Sequence, residues 1–108
     1  MATPKPRVRV PSSASKGDII EIKTVISHKM ESGQRKDSDG NPIPRKIINK
    51  FVCKFNEQEV FWSDWQPAIS ANPYIAFHVK ATESGTFTFE WHEDGGAVYT
   101  TSADMTVS

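Results

Sequence analysis

A single cysteine, Cys53, in a chain of 108 residues leaves no partner for an internal disulfide and no cysteine cluster for a metal within the chain. The fold must therefore rest on its core and not on covalent staples. Helical periodicity is nearly missing as well, because apolar residues almost nowhere recur at the i, i+3, i+4 spacing of a helix face. No stretch is apolar over the roughly 20 residues a membrane span requires, or over the shorter core of a signal peptide. Taken alone, that predicts a cytoplasmic protein. Net charge of either sign is also absent: 13 Lys and Arg balance 13 Asp and Glu. A neutral chain offers no electrostatic footprint for a phosphate backbone or an anionic bilayer, so nucleic acid and membrane are not expected partners. It also gives weak colloidal protection, which is easier to tolerate in a protein that lives in a complex.

What the chain does have is enough large apolar side chains to fold, with 37% hydrophobic residues, three Trp and six Phe. Its length fits one compact domain, 1–108. The apolar residues alternate with a period of two over many short runs, the mark of half-buried strands. Arg7 to Pro11 is a first strand closed by proline, and Asp18 to Ser27 a second, with Ile20, Ile22, Thr24 and Ile26 on one face. Ile47 to Phe55 places Phe51, Cys53 and Phe55 together, and after an Asn56-Glu57 turn Gln58 to Asp64 completes a hairpin. Tyr74 to Thr82 puts Ile75, Phe77 and Val79 on one side against Tyr74, His78 and Lys80 on the other. Thr86 to His92 points Phe87, Phe89 and Trp91 inward, and a last strand aligns Tyr99, Thr101, Ala103, Met105 and Val107. About seven short strands with turns between them predict an all-β, immunoglobulin-like β-sandwich. Ile20, Ile22, Phe51, Phe55, Phe77, Val79, Phe87, Phe89 and Trp91 are its predicted core.

Two segments break the rhythm: His28 to Arg45, charged and rich in Gly and Pro, and Trp65 to Pro73, a proline-bracketed crossover between sheets. Loops of the first kind are usually functional or mobile. Along it and at its end, Lys29, Arg35, Lys36, Arg45 and Lys46 form a cationic set. The tip reads as a water-facing loop cancelled by Glu31, Asp37 and Asp39, while the bases could attract anionic groups. No nucleophile stands beside an evident base, so no catalytic residue is assigned and the chain is read as not an enzyme. Asp37, Asp39, Glu93 and Asp94 read as solvated turn-formers. His28 and Met30 could ligate a soft metal, but two ligands do not make a site. His28, His78 and His92 are read as surface or interface histidines, with no metal and no cofactor implied. Cys53, in phase with Phe51 and Phe55, reads first as core; an intermolecular disulfide is the alternative and would need it at the surface.

The loop with its flanks, ISHKMESGQRKDSDGNPIPRKIINKFVCKFN, and the later PAISANPYIAFHVKATESGTFTFEW resemble the SoxZ family of the sulfur-oxidation (Sox) system. The resemblance runs from PRVRVP through SGTFTFEWHEDGG and combines a His-x-Met-Glu-x-Gly loop, an Ile-Pro step into a strand, and Ala-Asn-Pro before the next. It implies an immunoglobulin-like sandwich that forms a heterodimer with SoxY, which carries the sulfur intermediate on a cysteine near a glycine-rich C-terminus, and it implies transient docking with other Sox enzymes. The segment Asp104 to Ser108 ends in a strand with no glycine-flanked cysteine, which places this chain as the partner and not the carrier arm. The resemblance also reverses the compartment to the periplasm, reached by export together with a SoxY that has the signal.

A dedicated subunit needs an apolar patch, and aromatic residues beyond those used inward supply one. The candidate partner-interface residues are Met30, Arg35, Arg45, Trp62, Trp65, Tyr74 and Tyr99. Isolated chains with such a patch are expected to self-associate or aggregate. Two other readings stay open: an immunoglobulin-like interaction domain of a larger assembly, and a redox or metal chaperone using Cys53 with His28 and Met30.

Overall fold

Alternation of side chains and turn chemistry together decide the architecture seen in the computed structural model, which describes residues 5–28, 30, 31, 33, 36–65 and 72–108. Eight strands occur among them: β1 (Pro6–Arg9), β2 (Ser13–Ala14), β3 (Ile19–Ile26), β4 (Ile48–Phe55), β5 (Gln58–Asp64), β6 (Tyr74–Lys80), β7 (Gly85–Glu93) and β8 (Val98–Val107). One sheet has the order β1-β3-β6 and the other β2-β8-β7-β4-β5. All pairings are antiparallel except β2 with β8. Two sheets packed face to face with crossing connections are the immunoglobulin-like sandwich that the alternation predicts.

The strand beyond the expected seven is β2, two residues long, which lies parallel to the end of β8 through Ser13 and Ala14. A run so short has no period to detect. Pro11 falls between β1 and β2 and outside both. It marks where the chain leaves one sheet for the other, since proline cannot donate to a ladder. The Asn56-Glu57 turn has φ of 49° and 71° at its two residues. Both lie in the left-handed region that a two-residue hairpin of matching twist demands. The chain leaves β5 in the five-stranded sheet and re-enters at β6 in the three-stranded one, so the expected crossover joins the sheets; its interior, 66–71, lies outside the described residues.

The core lies between the sheets. Ile20, Ile22, Phe77, Phe87, Phe89 and Trp91 are buried as the alternation requires, while Phe55 and Val79 sit half-buried at its margin. Phe51 is its hub, with ring contacts to Phe61, Phe77, Phe89 and Trp91 and a near-parallel stack on Trp65 at 6.0 Å. No helix among the described residues is long and apolar enough to cross a membrane.

Candidate functional site

Where the long loop leaves β3 and returns to β4, four polar side chains close over one another. His28 accepts a hydrogen bond at Nδ1 from the Met30 backbone N–H (2.9 Å), so its proton sits on Nε2 and is donated to Glu93 Oε2 at 2.6 Å. The Tyr99 hydroxyl donates to the same oxygen at 2.9 Å, and Lys46 Nζ lies 3.7 Å from Oε1. Next to this cluster Arg45 grips Asp94 with two bonds of 2.8 and 3.0 Å, and Asp94 also receives the Ile47 N–H and the Asn49 amide. Burial pushes the Glu93 carboxyl up. Its bonds from His28 and Tyr99 and the field of Lys46 outweigh that and hold it below the ordinary value. Asp94 is held low chiefly by the Arg45 guanidinium.

Several sequence expectations are corrected here. Glu93 is buried and Asp94 anchors four contacts, so neither is a solvated turn-former. A turn signal in sequence does not reveal that the loop from β3 folds down on top of that turn. His28 is buried against Glu93 and is not a surface histidine, whereas His78 and His92 stand at the surface beside Glu21 and Glu90. Met30 is in the core, 5% exposed, with its sulfur receiving the Ile48 N–H, and so is not an interface residue. Trp65, 7% exposed, is likewise no surface anchor, because it lies flat on Phe51. Tyr99 is half-buried with its hydroxyl spent on Glu93. Arg45 and Lys46, the cations expected to attract anions at the loop base, are instead matched to Asp94 and Glu93. Arg35 and Lys29 lie outside the described residues.

Cys53 has no exposed surface, and burial pushes its thiol up to about 12. It packs between sheets in the core, and an intermolecular disulfide through it would require the sandwich to open. With so little thiolate, Ellman's reagent at pH 8 should leave the native protein unlabelled over an hour and titrate one thiol after denaturation. Rapid stoichiometric labelling of the folded chain would contradict the burial. Among the described residues no group of three or more His, Cys, Asp or Glu is arranged to hold a metal ion.

The other candidate feature is a surface. Trp62 is 53% exposed and Val60 41%, both on β5, at the edge of the five-stranded sheet. Val52, directly opposite Trp62 in the ladder, is only 4% exposed although it is out of phase with the inward Phe51 and Cys53. The alternation does not reveal this: a strand position facing away from the core is covered by its neighbours. Lys50 Nζ stands 5.4 Å over the Trp62 ring, and Lys54, Glu90 and His92 link through contacts of 3.1 and 3.0 Å. Tyr74, 60% exposed, projects from the other sheet.

Two packed sheets around a sealed core thiol define an immunoglobulin-like β-sandwich domain. The sequence matches the family described as "Sulphur oxidation protein SoxZ" over residues 8–104, nearly the whole chain, and the chain belongs to that family. Its role therefore lies in the Sox system. Among solved structures, the sulfur carrier protein SoxY from Chlorobium limicola f thiosulfatophilum superposes with a TM-score of 0.68 at 11% identity, over 95% of this chain and 78% of that one. A superoxide reductase (neelaredoxin) from Ignicoccus hospitalis gives 0.75 at 14% identity, over 95% and 80%. A putative superoxide reductase from Thermotoga maritima gives 0.73 at 15%, over 95% and 85%. At such identities these likenesses establish shared fold alone. No curated protein matches the sequence.

Proposed function

We propose that this chain is the non-catalytic subunit of the SoxYZ carrier complex: it binds SoxY as a heterodimer and helps present the cysteine-bound sulfur intermediate to the Sox enzymes. The observation that carries the reading is the SoxZ family match across residues 8–104. It is supported by the half-exposed Trp62 on a sheet edge, since a large aromatic left in water is the usual anchor of a partner surface. The periplasm is the compartment in which this pairing would operate, with export alongside SoxY. The chaperone reading loses its chemistry, because Cys53 and His28 are both buried and His28 is committed to Glu93.

The test is coexpression with tagged SoxY from the same organism, followed by size-exclusion chromatography with mass determination. A one-to-one complex is expected. The isolated chain should show no thiosulfate oxidation and should hold no stoichiometric metal by elemental analysis. A chain that never copurifies with SoxY, or that turns over thiosulfate alone, defeats the proposal.

A further inference from the structure

We infer that SoxY docks on the outer face of the five-stranded sheet, anchored on Trp62, and not on the outer face of the three-stranded sheet; this rests on the reading above. The two faces differ in what they ask of a partner. Across the five-stranded sheet the ladder sets Trp62 beside Val52, Val52 beside Glu90, and Glu90 beside Thr100. Toward β8 the outward positions are short hydroxyl side chains, with Thr88 opposite Ser102 and Thr86 bonded to Asp104 at 2.7 Å. Such residues lie flat and lose little rotamer freedom when covered.

The charges in the middle of this face are already answered within it. Lys54 and His92 both reach Glu90, and Lys50 rests over the Trp62 ring. Covering groups that are mutually satisfied costs far less than stranding single ions, which is the condition for a stable buried interface. Strands β8, β7, β4 and β5 have 10, 9, 8 and 7 residues. At ordinary strand spacing and rise they offer about 500 Å² of plane. Side-chain relief brings that near the roughly 800 Å² per partner of a stable complex.

The three-stranded sheet offers no comparable surface. Its exposed large apolar residues, Ile19 and Tyr74, lie at opposite ends, since Ile19 pairs with Lys80 while Tyr74 pairs with Val25. Arg7, Arg9, Lys23 and Lys80 are ranged between and beside them against Glu21. An excess of cations would have to be desolvated there. The partner that fits the five-stranded face is one with a flat, weakly charged sheet face of its own.

The experiment measures SoxY affinity of separately purified chains by calorimetry, with thermal melts as the folding control. Trp62→Asp should weaken binding roughly 30-fold or more, as for the loss of an aromatic anchor. Thr100→Lys, at an exposed position where no buried contact is lost, should weaken it about tenfold by adding a long charged side chain beside Glu90, which Lys54 and His92 already match. Tyr74→Asp and Lys23→Glu should bind within about threefold of wild type, as rim or remote changes do. If Trp62→Asp and Thr100→Lys both bind as wild type, the face is wrong while the SoxY reading stands, and loss of binding in Tyr74→Asp or Lys23→Glu would place the contact on the other sheet. If the unmodified chain ignores SoxY, the functional reading fails and this inference with it.

Discussion

Phe51→Ala should lower the melting temperature by about 20 °C, the loss expected when about 4 kcal/mol is removed from a domain of this size. Phe51 has no exposed surface and sits where the two sheets meet. Its ring touches Phe61, Phe89 and Trp91 from its own sheet, at 6.1, 6.3 and 5.2 Å, and Phe77 of the opposite one at 6.0 Å. Trp65 stacks on it as the chain leaves β5. Truncation leaves a cavity that five rigid rings cannot collapse into, so both the transfer free energy and the cavity cost fall due. A loss of about 4 kcal/mol is a large fraction of the roughly 5–15 kcal/mol that holds a domain folded. Phe55→Ala, at the half-buried margin where the ring meets Phe87 at 4.5 Å, should cost clearly less. The comparison is made by thermal and urea unfolding of the three proteins. Equal losses at the two positions would show that the hub has no special standing.

The inward rows of β3, β4, β6 and β7 were legible in the sequence because alternation and burial are one phenomenon at a strand with one wet face. Phe87, Phe89 and Trp91 needed nothing more than their spacing. The SoxZ resemblance was equally legible, since it lives in motif order and not in geometry. The candidate site was read less well, and for a physical reason. Whether Trp65 lies in water or against Phe51, and whether Glu93 faces solvent or His28, depends on contacts between residues far apart in the chain; His28 and Glu93 are separated by 65 positions. Local pattern carries no information on such pairs. A His-x-Met pair opening a long loop was seen, yet its use, locking the loop onto the β7 end, follows only when both ends of the loop are in place. Tyr74 follows as outward from its phase alone, whereas alternation does not choose between the neighbours Trp62 and Trp65, of which only Trp62 stands in water.

That lock yields the other large effect. Glu93→Ala should cost about 3 kcal/mol, because it leaves the buried His28 Nε2–H without its acceptor and takes the same acceptor from the half-buried Tyr99 hydroxyl. His28→Ala should cost a similar amount by leaving the Glu93 carboxylate short of its nearest donor, a contact of 2.6 Å. The double variant should lose less than the two single losses combined, since each replacement removes the group the other has stranded. Acid should act on the same cluster. The Glu93 carboxyl is held below its ordinary value of 4.5 in the folded chain, and Asp94 below 3.8. A depressed folded-state value means that the unfolded chain binds the proton first. Their contribution is therefore complete above the ordinary carboxylate range and is lost as pH falls through the lower folded values. Wild type should keep its unfolding free energy from neutrality down to about pH 5 and lose it progressively below. Glu93→Ala should start lower and fall less steeply, having one depressed carboxylate fewer. Urea unfolding between pH 7 and pH 3 reads both slopes. Parallel curves for the two proteins would show that the His28, Glu93 and Tyr99 bonds contribute nothing to the acid dependence, and additive losses in the double variant would show that the pair is not coupled.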